Sequence, residues 1–374
     1  MSPLRRSSFW ERDALPDPVS SHSPTSRTDV LIVGAGLMGR WLAYWLTAHG
    51  FGGRTLVVER DRFTYGASSR NAGFLTCGQV SEMLSDVEST GLDAVIETFE
   101  ERRRGIELVR REFPGLEIDP CGSIDWDPLT PSKRDLAEEL NSSAGLPVYT
   151  VRTASLAGRE REVMFNRADG AVDPVDLLRG LARGTDAEFR FGVRAVRVAD
   201  GSAVLESTEG IHELTYDRAF LCTNAFTSTL SPISDVRPGR GQIIVTSPVH
   251  TRTDRTLGYL NDGYDYFRFL GDRLLIGGGR HMHADRENGT TELKPTAEVG
   301  TYLKTVAAEV IGHDDFRVDH HWAGIMGFRG GRHLGGSPRH VVDARTEIVA
   351  GFGGMGVALT PTVAREVAVD VVEG

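Results

Sequence analysis

The stretch Val30-Leu31-Ile32-Val33-Gly34-Ala35-Gly36-Leu37-Met38-Gly39-Arg40, then an apolar helix, then Thr55-Leu56-Val57-Val58-Glu59, decides the fold. Residues 30–33 read as a buried strand, the glycine turn opens a helix, and a second strand ends in an acid. Gly34 permits the tight turn, Gly36 lets the backbone approach a pyrophosphate, and Gly39 lets the helix pack close to the strand. Free N–H groups and the dipole at the helix start attract phosphates. Glu59 stands 20 residues beyond Gly39, where a carboxylate accepts hydrogen bonds from ribose hydroxyls. Gly34, Ala35, Gly36, Leu37, Met38, Gly39 and Glu59 are therefore the expected core of a dinucleotide site. An acid after the second strand disfavours the 2′-phosphate of NADP by repulsion, and does not separate NAD from FAD.

The rest of the chain bounds the possibilities. Its 374 residues bury a large core and suggest two domains. Hydrophobic and charged contents of 40% and 25% are those of an ordinary globular protein. A net charge of −10 argues against a phosphate-seeking surface, so no nucleic-acid partner is expected. Cys77, Cys121 and Cys222 are odd in number and scattered, which argues against a disulfide framework or a closely spaced metal site and fits a reducing cytoplasm. Arg5-Arg6 is followed by no apolar run, so no secretory signal is readable, and no stretch approaches the length of a membrane span. Residues 15–28, with Pro16, Pro18 and Pro24, read as an extended arm. The aromatics of Ser8-Phe9-Trp10-Glu11 ahead of it are expected to dock on the body.

Helices are expected at 91–113, 132–145, 173–183 and 357–371, and strands at 189–198, 203–207, 218–222, 242–247, 264–270 and 273–278. Asp173 is the expected N-cap of the third helix, with Pro174 at its first position. The run Glu100-Glu101-Arg102-Arg103-Arg104 reads as mixed charge on a solvated helix face. Period two puts Tyr264, Tyr266 and Arg268 on one face of their strand.

Further segments carry a resemblance. Ser68-Ser69-Arg70-Asn71-Ala72-Gly73-Phe74 follows Glu59, and Gly351-Phe352-Gly353-Gly354-Met355-Gly356 precedes the last helix. Between them come Asp169-Gly170-Ala171-Val172-Asp173-Pro174, Leu221-Cys222-Thr223-Asn224-Ala225, Arg237-Pro238-Gly239-Arg240-Gly241-Gln242, the Tyr266 to Gly278 hairpin, and Trp322-Ala323-Gly324-Ile325-Met326-Gly327-Phe328. In this order the segments resemble the FAD-dependent D-amino acid oxidase, glycine oxidase and sarcosine oxidase superfamily. Within it, the chain is most similar to bacterial amine oxidoreductases related to gamma-glutamylputrescine oxidase. The resemblance runs from about Asp29 onward.

It implies an α/β fold: a Rossmann-like FAD-binding domain of the glutathione-reductase type, with a second α+β substrate domain built on a mixed or antiparallel sheet. The expected boundaries are an arm at 1–27, an FAD domain at 28–80, 160–235 and 323–374, and a substrate domain at 81–159 and 236–322. In the resembled fold, one face of the substrate sheet covers the flavin ring. Ser68, Ser69 and Arg70 match the loop beside pyrophosphate and flavin, with Asn71, Ala72 and Gly73 against the ring. Val196 matches a position whose backbone brackets the adenine, or is simple core. Arg60 lies along the adenine or is a surface arginine. Thr223 and Asn224 approach the cofactor through backbone atoms. Gly353, Gly354, Met355 and Gly356 aim the last helix's N–H groups at flavin O2 and N1, where negative charge develops on reduction.

The implied reaction is oxidation of a C–N bond of a small amine or amino acid. The flavin takes hydride at N5, the imine hydrolyses, and oxygen or another acceptor reoxidises the flavin. Tyr264, Tyr266, Arg268 and Arg329 are the substrate-site candidates, arginine because its fork suits a carboxylate. Arg268 has a structural salt bridge as its alternative, and Arg329 and Arg332 a solvent loop. His281 and His283, expected to alternate on the strand after Gly279, and His320-His321 lie near the site or are structural histidines.

Three departures from the family matter. Leu274-Leu275 stand where the sarcosine-oxidase branch has an oxygen-activating lysine, which keeps a dehydrogenase open. Ile325-Met326 stand where that branch attaches FAD through cysteine, so FAD is expected to be noncovalent; Cys77 reads as a buried thiol or one near the flavin. Met326 also stands near the position of the arginine with which glycine and D-amino acid oxidases hold the α-carboxylate, so the substrate's acid is held elsewhere or is absent, and amines with no α-carboxylate stay open. The rival readings are an FAD-dependent 2-hydroxy-acid dehydrogenase, using a histidine base such as His281 or His283, and an accessory flavoprotein subunit. Substrate, acceptor and oligomeric state stay open.

Overall fold

A computed structural model describes residues 8–13, 26–232, 234–329 and 337–374. They form two compact units. One comprises residue 13 with 26–69, 175–232, 234–239, 326–329 and 337–374, the other residues 8–12 with 70–174 and 240–325.

The first unit is built on the glycine motif. Strand Arg27–Val33 pairs in parallel with Thr55–Glu59 on one side and with Gly210–Leu221 on the other. Glu188–Phe191 and Thr346–Val349 extend the sheet in parallel at the two flanks. An antiparallel meander (Arg194–Ala199, Ser202–Ser207, Gly210–Leu221) and strand Arg339–Asp343 complete eight strands. Parallel strands buried on both faces need near-continuous apolar runs, as Val30-Leu31-Ile32-Val33 and Leu56-Val57-Val58 supply. Helix Leu37–Ala48 packs against the C-terminal helix Gly356–Glu373. Trp45 Nε1 donates to the Pro361 carbonyl at 3.0 Å across that contact.

The second unit is an eight-stranded, mostly antiparallel sheet in the order Val318–Phe328, Arg237–Thr246, Arg273–Gly278, Asp265–Leu270, Leu257–Leu260, Ser123–Asp125, Arg159–Asn166, Tyr149–Leu156. Helix Ala297–Ile311 buries Leu303, Val306 and Val310 in one core with Phe267, Leu274 and Ile276. Because Phe267 points into this core, Tyr266 and Arg268 stand on the opposite face. A small sheet of Phe74–Leu75, Ile118–Asp119 and Gly170–Val172 belongs to the same unit.

Several expectations are corrected. The single strand expected at 189–198 is two, because Gly192 at φ 73° turns the chain, and the pieces pair with different neighbours. His281 and His283 do not alternate on a strand: Gly279 at φ 73° ends it and residues 281–283 form a 3₁₀ turn. Tyr264 lies in the turn before its strand, not within it. Gly91 at φ 87° separates helix Leu92–Glu112 from an unforeseen helix, Val80–Thr90. The domain boundary expected at 159/160 would cut the hairpin of Tyr149–Leu156 with Arg159–Asn166. Residues 70–80 and 160–174 likewise fall with the substrate sheet, since Phe74 and Leu75 pair with residues 170–171. Residues 8–12 join that unit too. Residues 1–7 and 14–25 of the expected arm, and Arg332, lie outside the described residues.

Among the described residues no helix is long and apolar enough to cross a membrane, no metal-binding cluster occurs, and all three cysteines are free.

Candidate functional site

In the glycine-motif unit the turn is sterically determined. Gly34 has φ 107°, and a Cβ there would stand 2.7 Å from the Cys222 carbonyl oxygen. A Cβ on Gly39 would lie 2.0 Å from the Gly34 carbonyl oxygen, and one on Gly36 2.9 Å from Ser68 Oγ. Ser68 Oγ accepts from Leu37 N–H at 2.9 Å, so this hydroxyl sits at the helix start. The Glu59 carboxylate accepts from Ala35 N–H (3.0 Å) and Asp61 N–H (3.2 Å). Burial pushes its carboxyl up against these bonds, and further donors such as ribose hydroxyls would offset that cost. Ala35, Leu37 and Met38 are buried beneath the turn. Residues 34–39, Glu59 and Ser68 thus come together.

Ser69 turns away: its Oγ donates to the Thr64 carbonyl at 2.5 Å. The Arg60 guanidinium lies 4.0 Å over the Phe226 ring and pairs with Asp61 at 3.3 Å. Val196 is the unpaired residue of a β-bulge and 46% exposed, so it is not core. Thr223 Oγ1 bonds Thr227 Oγ1 at 3.0 Å. Asn224 adopts φ 46° and accepts from Gly351 N–H at 3.3 Å, which ties the strand end to the C-terminal glycine loop. In that loop Gly353 N–H donates to the Gly327 carbonyl at 2.9 Å, a Cβ on Gly354 would meet open space, and no side chain caps the helix at Met355 and Gly356. Arg329 is buried, pairs with Asp235 at 3.1 Å and donates to the Ser337 carbonyl. Its stem occupies the place of a Gly351 side chain, so it braces this loop.

The other unit gathers the remaining candidates. Arg70 is buried, donates to the Ala323 carbonyl at 2.9 Å and pairs with Glu11 at 3.3 Å. Its own carbonyl accepts from Trp322 Nε1 at 2.9 Å. Asn71 Oδ1 accepts from Gly73 N–H at 2.8 Å, and Gly73 (φ 73°) passes so close to the Val172 carbonyl that a Cβ would stand 2.1 Å from it. Arg268 Nη1 donates to the carbonyls of Ala72 (3.2 Å), Gly73 (3.3 Å) and Val172 (3.2 Å). Its Nε and Nη2 make no hydrogen bond and no salt bridge forms with it among the described residues; burial pulls its pKa down, and the nearby charges of Asp119 and Asp173 partly offset this. Tyr266 packs edge-on to Phe74 (5.6 Å), as does its cross-strand partner Tyr259 (5.5 Å). Burial pushes the Tyr266 phenol up to about 12. Tyr264 instead stacks on His281 at 4.7 Å. His321 bonds Gln242 at 3.0 Å, and His320 packs against Phe9. Tyr259 escaped the sequence reading; the one signal for it was its position opposite Tyr266 in a hairpin.

Cys77 is buried on a carboxyl. Asp169 accepts from Cys77 N–H (2.9 Å), Cys77 Sγ (3.4 Å) and Ser123 Oγ (2.6 Å), and burial pushes it from 3.8 up to about 6. The folded protein therefore holds this proton at pH values where the unfolded chain releases it. Its contribution to stability is full below about pH 4 and is lost as pH rises through about 6, a swing of roughly 2–3 kcal/mol. Urea midpoints of wild type measured against Asp169→Asn should diverge across that window, and a pH-independent difference would contradict it.

A strand, glycine turn, helix, strand and half-buried acid in parallel register define a dinucleotide-binding unit. The chain belongs to the family of FAD dependent oxidoreductases, which matches residues 29–369. Among solved structures it is similar to glycine oxidase from Geobacillus kaustophilus, at 20% identity and a TM-score of 0.70 over 93% of this chain and 95% of that one. L-proline dehydrogenase from P. horikoshii matches at 16% identity and 0.74, over 94% and 95%. L-alpha-glycerophosphate oxidase from Mycoplasma pneumoniae with FAD bound matches at 14% and 0.69, over 93% and 95%. The protein is an FAD-dependent oxidoreductase, and the glycine turn, the Glu59 carboxylate beside it and the open space at Gly354 fit that cofactor.

Proposed function

We propose that the protein oxidises the C–N bond of a small amine or amino acid. Bound FAD supplies the hydride acceptor at its N5 atom. The observation that carries the reading is Arg268, a largely desolvated guanidinium that feels the charges of Asp119 and Asp173 but forms no salt bridge among the described residues. With Nη1 tied to three carbonyls, the parallel N–H bonds of Nε and Nη2 are the edge that fits a carboxylate in a two-pronged grip. An amino acid held there has its position fixed by its acid end, with Tyr266 and Phe74 as apolar wall. Tyr266, its phenol held protonated, serves as wall and hydrogen-bond partner rather than base. The substrate amine reacts in its neutral form, since the nitrogen lone pair drives electron release.

Residues 34–39, Glu59 and Ser68 hold the adenosine and pyrophosphate end in this reading, with residues 353–356 at the flavin end. The absence of cysteine at Ile325 and Met326 supports noncovalent FAD, and Leu274 and Leu275, fully buried, support a slow reaction with oxygen or use of another acceptor. Three free cysteines fit a reducing cytoplasm.

Anaerobic bleaching of the flavin's visible absorbance tests the reading with a panel of amino acids, amines including gamma-glutamylputrescine, and 2-hydroxy acids. Bleaching by amino acids or amines is expected, and readmitted air then reports whether oxygen is the acceptor. Bleaching by 2-hydroxy acids alone would replace this reading with the dehydrogenase one. A holoprotein reduced by no small molecule would favour an accessory subunit.

A further inference from the structure

We propose that the N-terminal residues Phe9, Trp10 and Glu11 are a positioning clip for the substrate's carboxylate, acting through Arg268; this rests on the reading of Arg268 given above. The aromatics expected to dock on the body do so, and the segment is built into the unit. Ser8, Phe9 and Trp10 are buried. The Trp10 indole N–H donates to the Asn71 carbonyl at 2.7 Å. Asn71 in turn holds Gly73 N–H, and the carbonyls of Ala72 and Gly73 hold Arg268 Nη1. One chain of hydrogen bonds therefore runs from the indole to the guanidinium.

The same indole also faces the guanidinium directly, its ring centre 5.5 Å from Arg268 Cζ. Cation–π attraction stabilises the cation without placing an acid on the Nε and Nη2 edge. Asp119 and Asp173 act on Arg268 by charge from a distance but form no salt bridge with it, so the aromatic face leaves that edge for the ligand. Glu11, the acid closest in sequence, is committed elsewhere: it pairs with Arg70, both side chains under a tenth exposed (8% and 2%). Burial pushes the Glu11 carboxyl up while the Arg70 charge pulls it down. Phe9 wedges the segment from behind, edge-on to Trp10 at 5.6 Å and to His320 at 5.4 Å. Trp10 thus fixes both the loop that anchors Arg268 and the face on which the guanidinium rests, which makes it a determinant of preference for carboxylate-bearing substrates.

The test uses the FAD-loaded full chain and propionate as the probe, with binding read from the shift it causes in the flavin's visible spectrum. Trp10→Ala, Trp10→Phe and Arg268→Met are compared with wild type, and flavin content and thermal midpoint are recorded for each. Trp10→Ala is expected to weaken propionate about tenfold or more, a scale set by one lost hydrogen bond plus a desolvated cation–π contact. Trp10→Phe keeps the ring and loses the donor, so it should fall between, with flavin content unchanged; it also serves if the alanine variant does not fold. In steady state the Trp10→Phe loss should appear in KM for an amino acid and not for the amine lacking its carboxylate. If Arg268→Met abolishes propionate binding while both Trp10 variants bind as wild type, the clip is overturned and the Arg268 reading stands. If Arg268→Met binds propionate as wild type does, both fall.

Discussion

Arg268→Met is expected to lower kcat/KM for an amino-acid substrate by about 10²- to 10³-fold, while flavin content stays at the wild-type level. The scale follows from two charge-assisted hydrogen bonds from Nε and Nη2, each worth about 1.5–3 kcal/mol and not fully additive. An amine of the same skeleton without the carboxylate should lose far less, because nothing on it meets that edge. Arg268 also holds the carbonyls of Ala72, Gly73 and Val172, so some of the methionine effect would come from a loosened loop. Arg268→Lys separates the two contributions. A lysine keeps a cation and donors for the carbonyls but not the planar fork, so it should restore thermal stability more than it restores KM. Equal loss on amino acid and amine would mean that Arg268 braces the loop and does not hold substrate.

Gly39→Ala should purify largely without flavin and with a depressed thermal midpoint. The added methyl would stand 2.0 Å from the Gly34 carbonyl oxygen and 3.1 Å from Ile32, with backbone on one side and a core strand on the other. Neither can move cheaply, and overpacking of this kind costs about 1–3 kcal/mol, occasionally more. The helix would be pushed off the strand at its first turn, where the proposed pyrophosphate site lies. Gly354→Ala is the contrasting case. Its Cβ meets no atom within 4 Å and its φ lies outside the left-handed region, so the fold should be kept. Weaker FAD binding by this variant at an unchanged midpoint would report a cofactor contact in the C-terminal loop. A Gly39→Ala protein with full flavin content would contradict the steric argument.

The N-terminal clip and the Arg268 fork also explain why one substitution's effect will not read as a single role. Trp10, residues 71–73 and Arg268 form one bonded series, so their variants should be non-additive when combined.

The strand–turn–helix–strand–acid unit was determined by the sequence itself. Its requirements are local: a glycine where a Cβ would strike a backbone carbonyl, apolar runs buried on both faces, and an acid whose carboxylate reaches back to Ala35 N–H. The opposed faces of Phe267 and Tyr266 were equally legible, because period two is a property of the extended chain. Tertiary structure alone decided where these faces find partners. Trp10 meets Asn71 from 61 positions away, and Arg268 meets Ala72 from 196. No spacing rule connects such pairs, which depend on how strands order themselves in a sheet. Arg329 is, like Arg268, an arginine that the sequence offers for a substrate's acid, yet Asp235 and the Ser337 carbonyl claim it. Gly192 and Gly279 likewise look like residues of their strands until positive φ angles break them, since glycine's freedom leaves that choice to its surroundings.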